Sequence, residues 1–178
     1  DPYWQAGVRR ESIDHPESKR VIEDECSKCH MPMARTTAVD DGRQGTVFDH
    51  LPIGTADEPE SQLAADGVSC SMCHQIGPER LGTSESETGG YRVAPSSKPG
   101  DRPIYGPFVP DSGRTRVMHS ASGFVPTEGK HIQTSEFCAT CHTLRTHSLG
   151  PGAGATLPEQ TPYQEWQASS FAQTKNCQ

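Results

Sequence analysis

Apolar residues in this chain come in short runs broken by Pro, Gly and charged residues, and the elements they predict are few and brief. A first helix is expected to start at Asp14, with Glu17 three residues on as its capping-box partner, and to end near His30. A loop over about 31–59 follows, then a short helix over 60–66 that Gly67 stops. Residues 77–130, rich in Gly and Pro, are the least regular stretch, with short strands expected around 91–93 and 104–109. Thr134 is placed to cap a further helix, and a Gly/Pro-rich stretch at 150–158 leads to the last one. That helix opens with Thr161 as N-cap, Pro162 at the first helical position and Gln164 as capping-box partner, and runs through Trp166 towards Phe171. The expected fold is a single domain over 1–178, mostly irregular, with a few short α-helices.

Composition makes such a chain hard to fold unaided. Only 31% of residues are hydrophobic, the mean hydropathy is −0.70, and there are 17 Gly and 15 Pro. This buries too little apolar area to offset about 1–2 kcal/mol per residue of backbone ordering. The formal charge of −7, without any Lys/Arg run, argues against nucleic acid as a partner. No apolar stretch approaches the roughly 20 residues of a membrane span.

Seven Cys and eight His change the picture. They include three Cys-x-x-Cys-His motifs: Cys26-Ser27-Lys28-Cys29-His30, Cys70-Ser71-Met72-Cys73-His74 and Cys138-Ala139-Thr140-Cys141-His142. Helical residues three and four apart share a face. Both thiols of a motif can therefore reach the two vinyl groups of one haem, while the following His turns its imidazole to the iron. Haem c is thus the expected cofactor, and its macrocycles would supply the apolar mass that the side chains lack. Structural zinc sites pair two Cys-x-x-Cys units, or one unit with a downstream His pair, and do not ask for a His directly after each. A disulfide framework does not ask for it either. Thioredoxin-like motifs sit beside a strand–helix unit that is missing here.

Cys177 is the odd cysteine, and Asn176-Cys177-Gln178 reads as the first half of a fourth motif in a chain continuing past Gln178. Haem attachment to such motifs takes place outside the cytoplasm, so a periplasmic or extracellular location and a removed leader are expected.

Five His lie outside the motifs: His15, His50, His119, His131 and His147. They suffice as distal ligands for three or four haems, so most irons are expected to be bis-His. His131 precedes Cys138 by seven residues and His147 follows His142 by five, and each is expected to cap the iron of a neighbouring haem. Met31 and Met33 lie on the proximal side of their own motif, and packing against the macrocycle edge is expected of them rather than ligation.

The segments Asp66-Gly67-Val68-Ser69-Cys70, Met118-His119-Ser120, Gly123-Phe124-Val125-Pro126, His131-Ile132-Gln133 and Cys138 to Leu144 together resemble bacterial multihaem cytochromes. The resemblance is to the broad class that contains the nitrifier tetrahaem cytochrome and hydroxylamine oxidoreductase-like proteins. It covers most of the chain, but only the haem motifs are specific. It implies an architecture organised around stacked haems, bis-His irons in close pairs, and extracytoplasmic electron transfer. Some members of the wider group polymerise into extracellular haem filaments. No Cys-x-x-Cys-Lys motif of the nitrite reductase kind is present. The expected function is electron transfer between redox partner proteins, which the acidic surface could help to steer. Two alternatives remain open: an oxidoreductase with one open haem acting on a small nitrogen or sulfur compound, and a subunit of a haem filament or larger redox complex.

Overall fold

In the computed structural model the described residues are 2–54, 57–93, 101–147 and 154–177, without the side chain of Gln173. The chain divides into two compact units, residues 1–72 and 73–178.

The first unit is helical. It comprises α1 (Pro2–Asp14), a 3₁₀ turn (Pro16–Ser18), α2 (Lys19–His30), α3 (Pro32–Asp40), a 3₁₀ turn (Phe48–His50) and α4 (Pro59–Asp66). Pro32 separates α2 from α3. A residue before proline is pushed out of the α region, and Met31 sits at φ −138°, ψ 49°. The helix therefore stops at His30, and Pro32 opens the next one. Val8, Met31, Ala34, Val47 and Ala64 form the buried apolar cluster, against which Trp4, Ile22, Cys26, Phe48, Leu51 and Leu63 pack. Two acids of α2 hold the following loop over this cluster. The Glu23 carboxylate, 6% exposed, accepts the N–H groups of Val47 at 2.7 Å and Phe48 at 3.0 Å. Asp24 accepts the N–H of Gly45 at 2.7 Å and pairs with Arg35 at 3.2 Å. A side chain at position 45 would collide with Ser27 Oγ and Arg35 Cγ, so the close approach needs glycine.

The four-residue helix α5 (Cys70–Cys73) carries the chain from one unit into the next. In the second unit β1 (Arg102–Gly106) pairs in parallel with β2 (Phe124–Glu128), Arg102 opposite Phe124 and Gly106 opposite Glu128. Parallel strands need a crossover, supplied by α6 (Ser112–Ser122). Asp111 caps α6 by accepting the N–H groups of Gly113 and Arg114, and Gly123 ends it at φ +74°. A 3₁₀ turn (Lys130–Gln133) leads to α7 (Ser135–His142), then β3 (Leu144–His147) pairs antiparallel with β4 (Thr156–Gln160). The described chain closes with α8 (Pro162–Ala168) and a 3₁₀ turn (Ser170–Gln173).

The architecture is mixed α/β, about 53% helical with two small sheets, and so more regular than the mostly irregular chain expected. The excess lies in α1, α3 and α6. α6 buries no residue and α1 only Val8 and Ser12, while the buried residues of α3, Pro32, Ala34 and Ala38, are too small to make a strong apolar stripe. Hydrophobic periodicity therefore cannot reveal them. The helix expected from Asp14 starts at Lys19, after the turn at Pro16–Ser18. The strand expected over 91–93 reduces to a bridge between Val93 and Ile76, and that expected over 104–109 is Arg102–Gly106. The last helix ends at Ala168 rather than near Phe171. The short helix before the second motif and the helix after Thr134 form as expected, and the residues 150–153 of the Gly/Pro-rich stretch lie outside the described residues. Among the described residues, no helix is long and apolar enough to cross a membrane.

Candidate cofactor site

Each motif ends a helix or forms one: His30 closes α2, Cys70–Cys73 is α5, and His142 closes α7. Helical geometry places the two cysteines of each motif on one face and leaves the His at or just past the last turn.

In the first motif Cys26 packs against the apolar cluster, and His30 stacks on the Trp4 indole with ring centroids 4.2 Å apart and planes 15° from parallel. This packing pushes the imidazole pKa below its ordinary value by desolvation, although one edge of the ring stays exposed. A neutral imidazole is the form that binds metals.

In the second motif His74 is held by β1 from both sides of one residue. Its Nδ1–H donates to the Tyr105 carbonyl, and the Tyr105 N–H donates to the His74 carbonyl at 2.6 Å. With Nδ1 carrying the proton, Nε2 keeps its lone pair. Metal-ligating imidazoles are ordinarily oriented in this way, by donating the other ring N–H to a carbonyl or carboxylate.

In the third motif α7 receives its C-terminal cap from a distant loop. Thr88 and Gly89, both in the left-handed region at φ 56° and 72°, donate their N–H groups to the carbonyls of Thr143 at 2.8 Å and Thr140 at 2.7 Å. Thr140 Oγ1 donates back to the Ser86 carbonyl at 2.6 Å, and the Arg145 N–H donates to Thr88 Oγ1 at 3.2 Å. The orphan carbonyls that end a helix are thus met by backbone N–H groups more than fifty residues earlier.

Three of the motif cysteines meet in the second unit. The Cys138 thiol is pushed up in pKa first by burial, then by the neighbouring Cys177 and Cys73 thiols, with a hydrogen bond to Cys177. Cys177 is anchored where its N–H donates to Ser135 Oγ at 3.0 Å, one residue inside the start of α7. A cleft of about 470 Å³ lined by Ser135, Trp166, Ala172, Thr174, Lys175 and Asn176 lies beside it. Thiols of the second and third motifs and of Cys177 are therefore near enough to influence one another electrostatically. Among the described residues, no three His, Cys, Asp or Glu side chains are grouped to hold a bare metal ion.

The five remaining His differ in surroundings. His50 is buried, with Nδ1 3.1 Å from Ser61 Oγ and Nε2 3.3 Å from Thr46 Oγ1. His131 Nε2 lies 2.8 Å from the Ile76 carbonyl, and its ring meets Tyr105 edge-on at 4.8 Å. His15 is half-buried with Nδ1 3.7 Å from Glu17, while His119 on α6 and His147 at the end of β3 are exposed. Met31 is 2% exposed inside the apolar cluster, a core residue.

Sequence reasoning did not single out Trp4, Tyr105 or the Thr88–Gly89 cap. Tyr105 acts through its backbone, and all three reach their motif from at least 26 residues away, so no local spacing marks them. No known protein family, curated protein or solved structure matches this chain.

Proposed function

We propose that this chain is an extracytoplasmic electron-transfer protein that holds three c-type haems, with Cys177 bound to a further one. Cys26 and Cys29, Cys70 and Cys73, and Cys138 and Cys141 are the thioether positions, with His30, His74 and His142 as proximal ligands. The observation that carries this reading is the Nδ1–H of His74 donating to the Tyr105 carbonyl, which sets the tautomer and leaves Nε2 with its lone pair. When bound, each haem supplies a one-electron iron couple whose potential depends on its axial ligands and its exposure. The meeting of Cys73, Cys138 and Cys177 supports cofactors held close enough for electrons to pass from one to the next.

His15, His119 and His147, half-buried or exposed, are the distal ligands this reading favours for their accessibility. His50 and His131 would each give up a hydrogen bond made by a ring nitrogen. His147 leaves the third motif along β3, at about 3.3 Å per residue, and so would cap an iron other than that of its own motif.

Peptide mass mapping of the native protein tests the proposal. Haem mass, about 0.6 kDa each, is expected on the peptides bearing Cys26–Cys29, Cys70–Cys73 and Cys138–Cys141, and on the one bearing Cys177. Unmodified thiols or disulfides on those peptides would overturn it.

A further inference from the structure

The indole nitrogen of Trp4 is an unexplained buried donor. Among the described residues it is the buried side-chain nitrogen or oxygen that has no hydrogen-bond partner. Trp Nε1–H can only donate, and burying it unpaired is unfavourable, so such a group calls for an acceptor that protein atoms do not supply here. Its position narrows what that acceptor is. The ring lies flat on His30 at 4.2 Å, and both Trp4 and Cys26 pack against the same apolar cluster. The indole thus lies against the imidazole of the first motif. The contrast with the second tryptophan is direct: Trp166 Nε1–H donates to the Lys175 carbonyl at 2.8 Å.

An imidazole that binds metal through Nε2 keeps its ring faces free, so the indole can stay stacked while His30 ligates. At the rim of a haem the hydrogen-bond acceptors are the two propionate carboxylates, the ring nitrogens being turned to the iron. We infer that Trp4 is a positioning residue for the first haem: its ring orients His30 by stacking, and its Nε1–H donates to a propionate of the group held at Cys26 and Cys29. The inference rests on the haem reading proposed above. It assigns α1, a helix with little apolar character of its own, the task of delivering that donor.

The test uses the haem-loaded protein labelled with ¹⁵N at its two indoles. The Trp4 indole proton is expected to exchange with solvent more than about tenfold slower than in the unfolded chain, as the Trp166 proton does. In Trp4→Phe, which keeps a stacking ring and removes the donor, the potential of one haem should move. Its propionate should protonate at higher pH, because a hydrogen bond to the charged form has been lost. The other haems should keep their curves. If the Cys26–Cys29 peptide carries haem yet the Trp4 proton exchanges freely, or Trp4→Phe leaves every potential–pH curve unchanged, the donor role is wrong and the haem reading stands. If that peptide carries no haem, both fall. The exchange measurement needs no variant, so it decides even if Trp4→Phe does not fold.

Discussion

The two units bury different materials. In residues 1–72 seven apolar side chains are buried, five of them in one cluster, and the acids Glu23 and Asp24 lace a loop over it. The longer unit, residues 73–178, buries only Ile76, Ile132, Phe137, Ala139 and Tyr163 among its described apolar residues. Its interior leans on Gln75, Ser86, Ser135, Thr140 and Thr143, and on hydrogen bonds that tie loops to helix ends. The first unit carries one complete motif beside a side-chain core, whereas in the second the Cys138 thiol is influenced by those of Cys73 and Cys177. Apolar contact is non-directional and accumulates with area, while a polar interior stabilises only when each group is paired. On the haem reading proposed above, the second unit is the one that would depend on bound cofactors for its order.

The largest effect that could break this comparison is removal of haem. In protein made without the attachment machinery, hydrogen exchange followed by mass spectrometry should show residues 73–147 exchanging like an unfolded chain while α2 and α3 keep protection. Equal protection in both units would remove the distinction. Next in size is Met31→Ala, at the centre of the apolar cluster. A cost of about 2–5 kcal/mol is expected, read as a lower denaturation midpoint of the first unit with peptides of the second unchanged. A small or uniform effect would mean that the cluster is not what holds residues 1–72.

The smallest effect is a pH limb. Burial alone would raise the Asp24 carboxyl, but the hydrogen bond from Arg35, that from the Gly45 N–H and the Arg35 charge together hold it below the ordinary carboxylate value. A depressed folded-state pKa contributes stability that is present above about pH 4 and is lost as pH falls through the lower, folded value. Asp24→Asn should flatten that acid limb and cost about 1 kcal/mol at neutral pH, after solvent screening is allowed for. Acid titration of first-unit stability, with the variant beside the parent, checks both the sign and the size.

Legibility followed the range over which each residue acts. Thr134 before α7, Pro162 at the start of α8 and Gly67 after α4 are local signals, and each marks its boundary. The Cys-x-x-Cys-His spacing is local too, so helix ends at the motifs could be read directly. Asp111 and Gly123 are equally good cap residues for α6, yet that helix was not anticipated, because no apolar stripe connects them. Pro32 was read as part of a loop, although proline at a first helical position starts helices as well as breaking them. What lay beyond reach was the partner of each motif. The Tyr105 carbonyl and the Trp4 ring meet His74 and His30 only once the chain has folded back, and sequence spacing carries no record of that.

The Thr88–Gly89 cap sets an order of events. A chain emerging from its N-terminus presents the loop at 83–90 long before Thr140 and Thr143 exist to accept its N–H groups. In the folded chain both residues are left-handed, a conformation that a β-branched side chain such as that of Thr88 does not favour without those partners. The reciprocal bond from Thr140 to Ser86 closes the exchange only when the third motif arrives. Closing so long a loop is entropically slow. In order of synthesis, the third motif therefore follows the residues that cap its C-terminal end, and the cap closes only once the motif has been made.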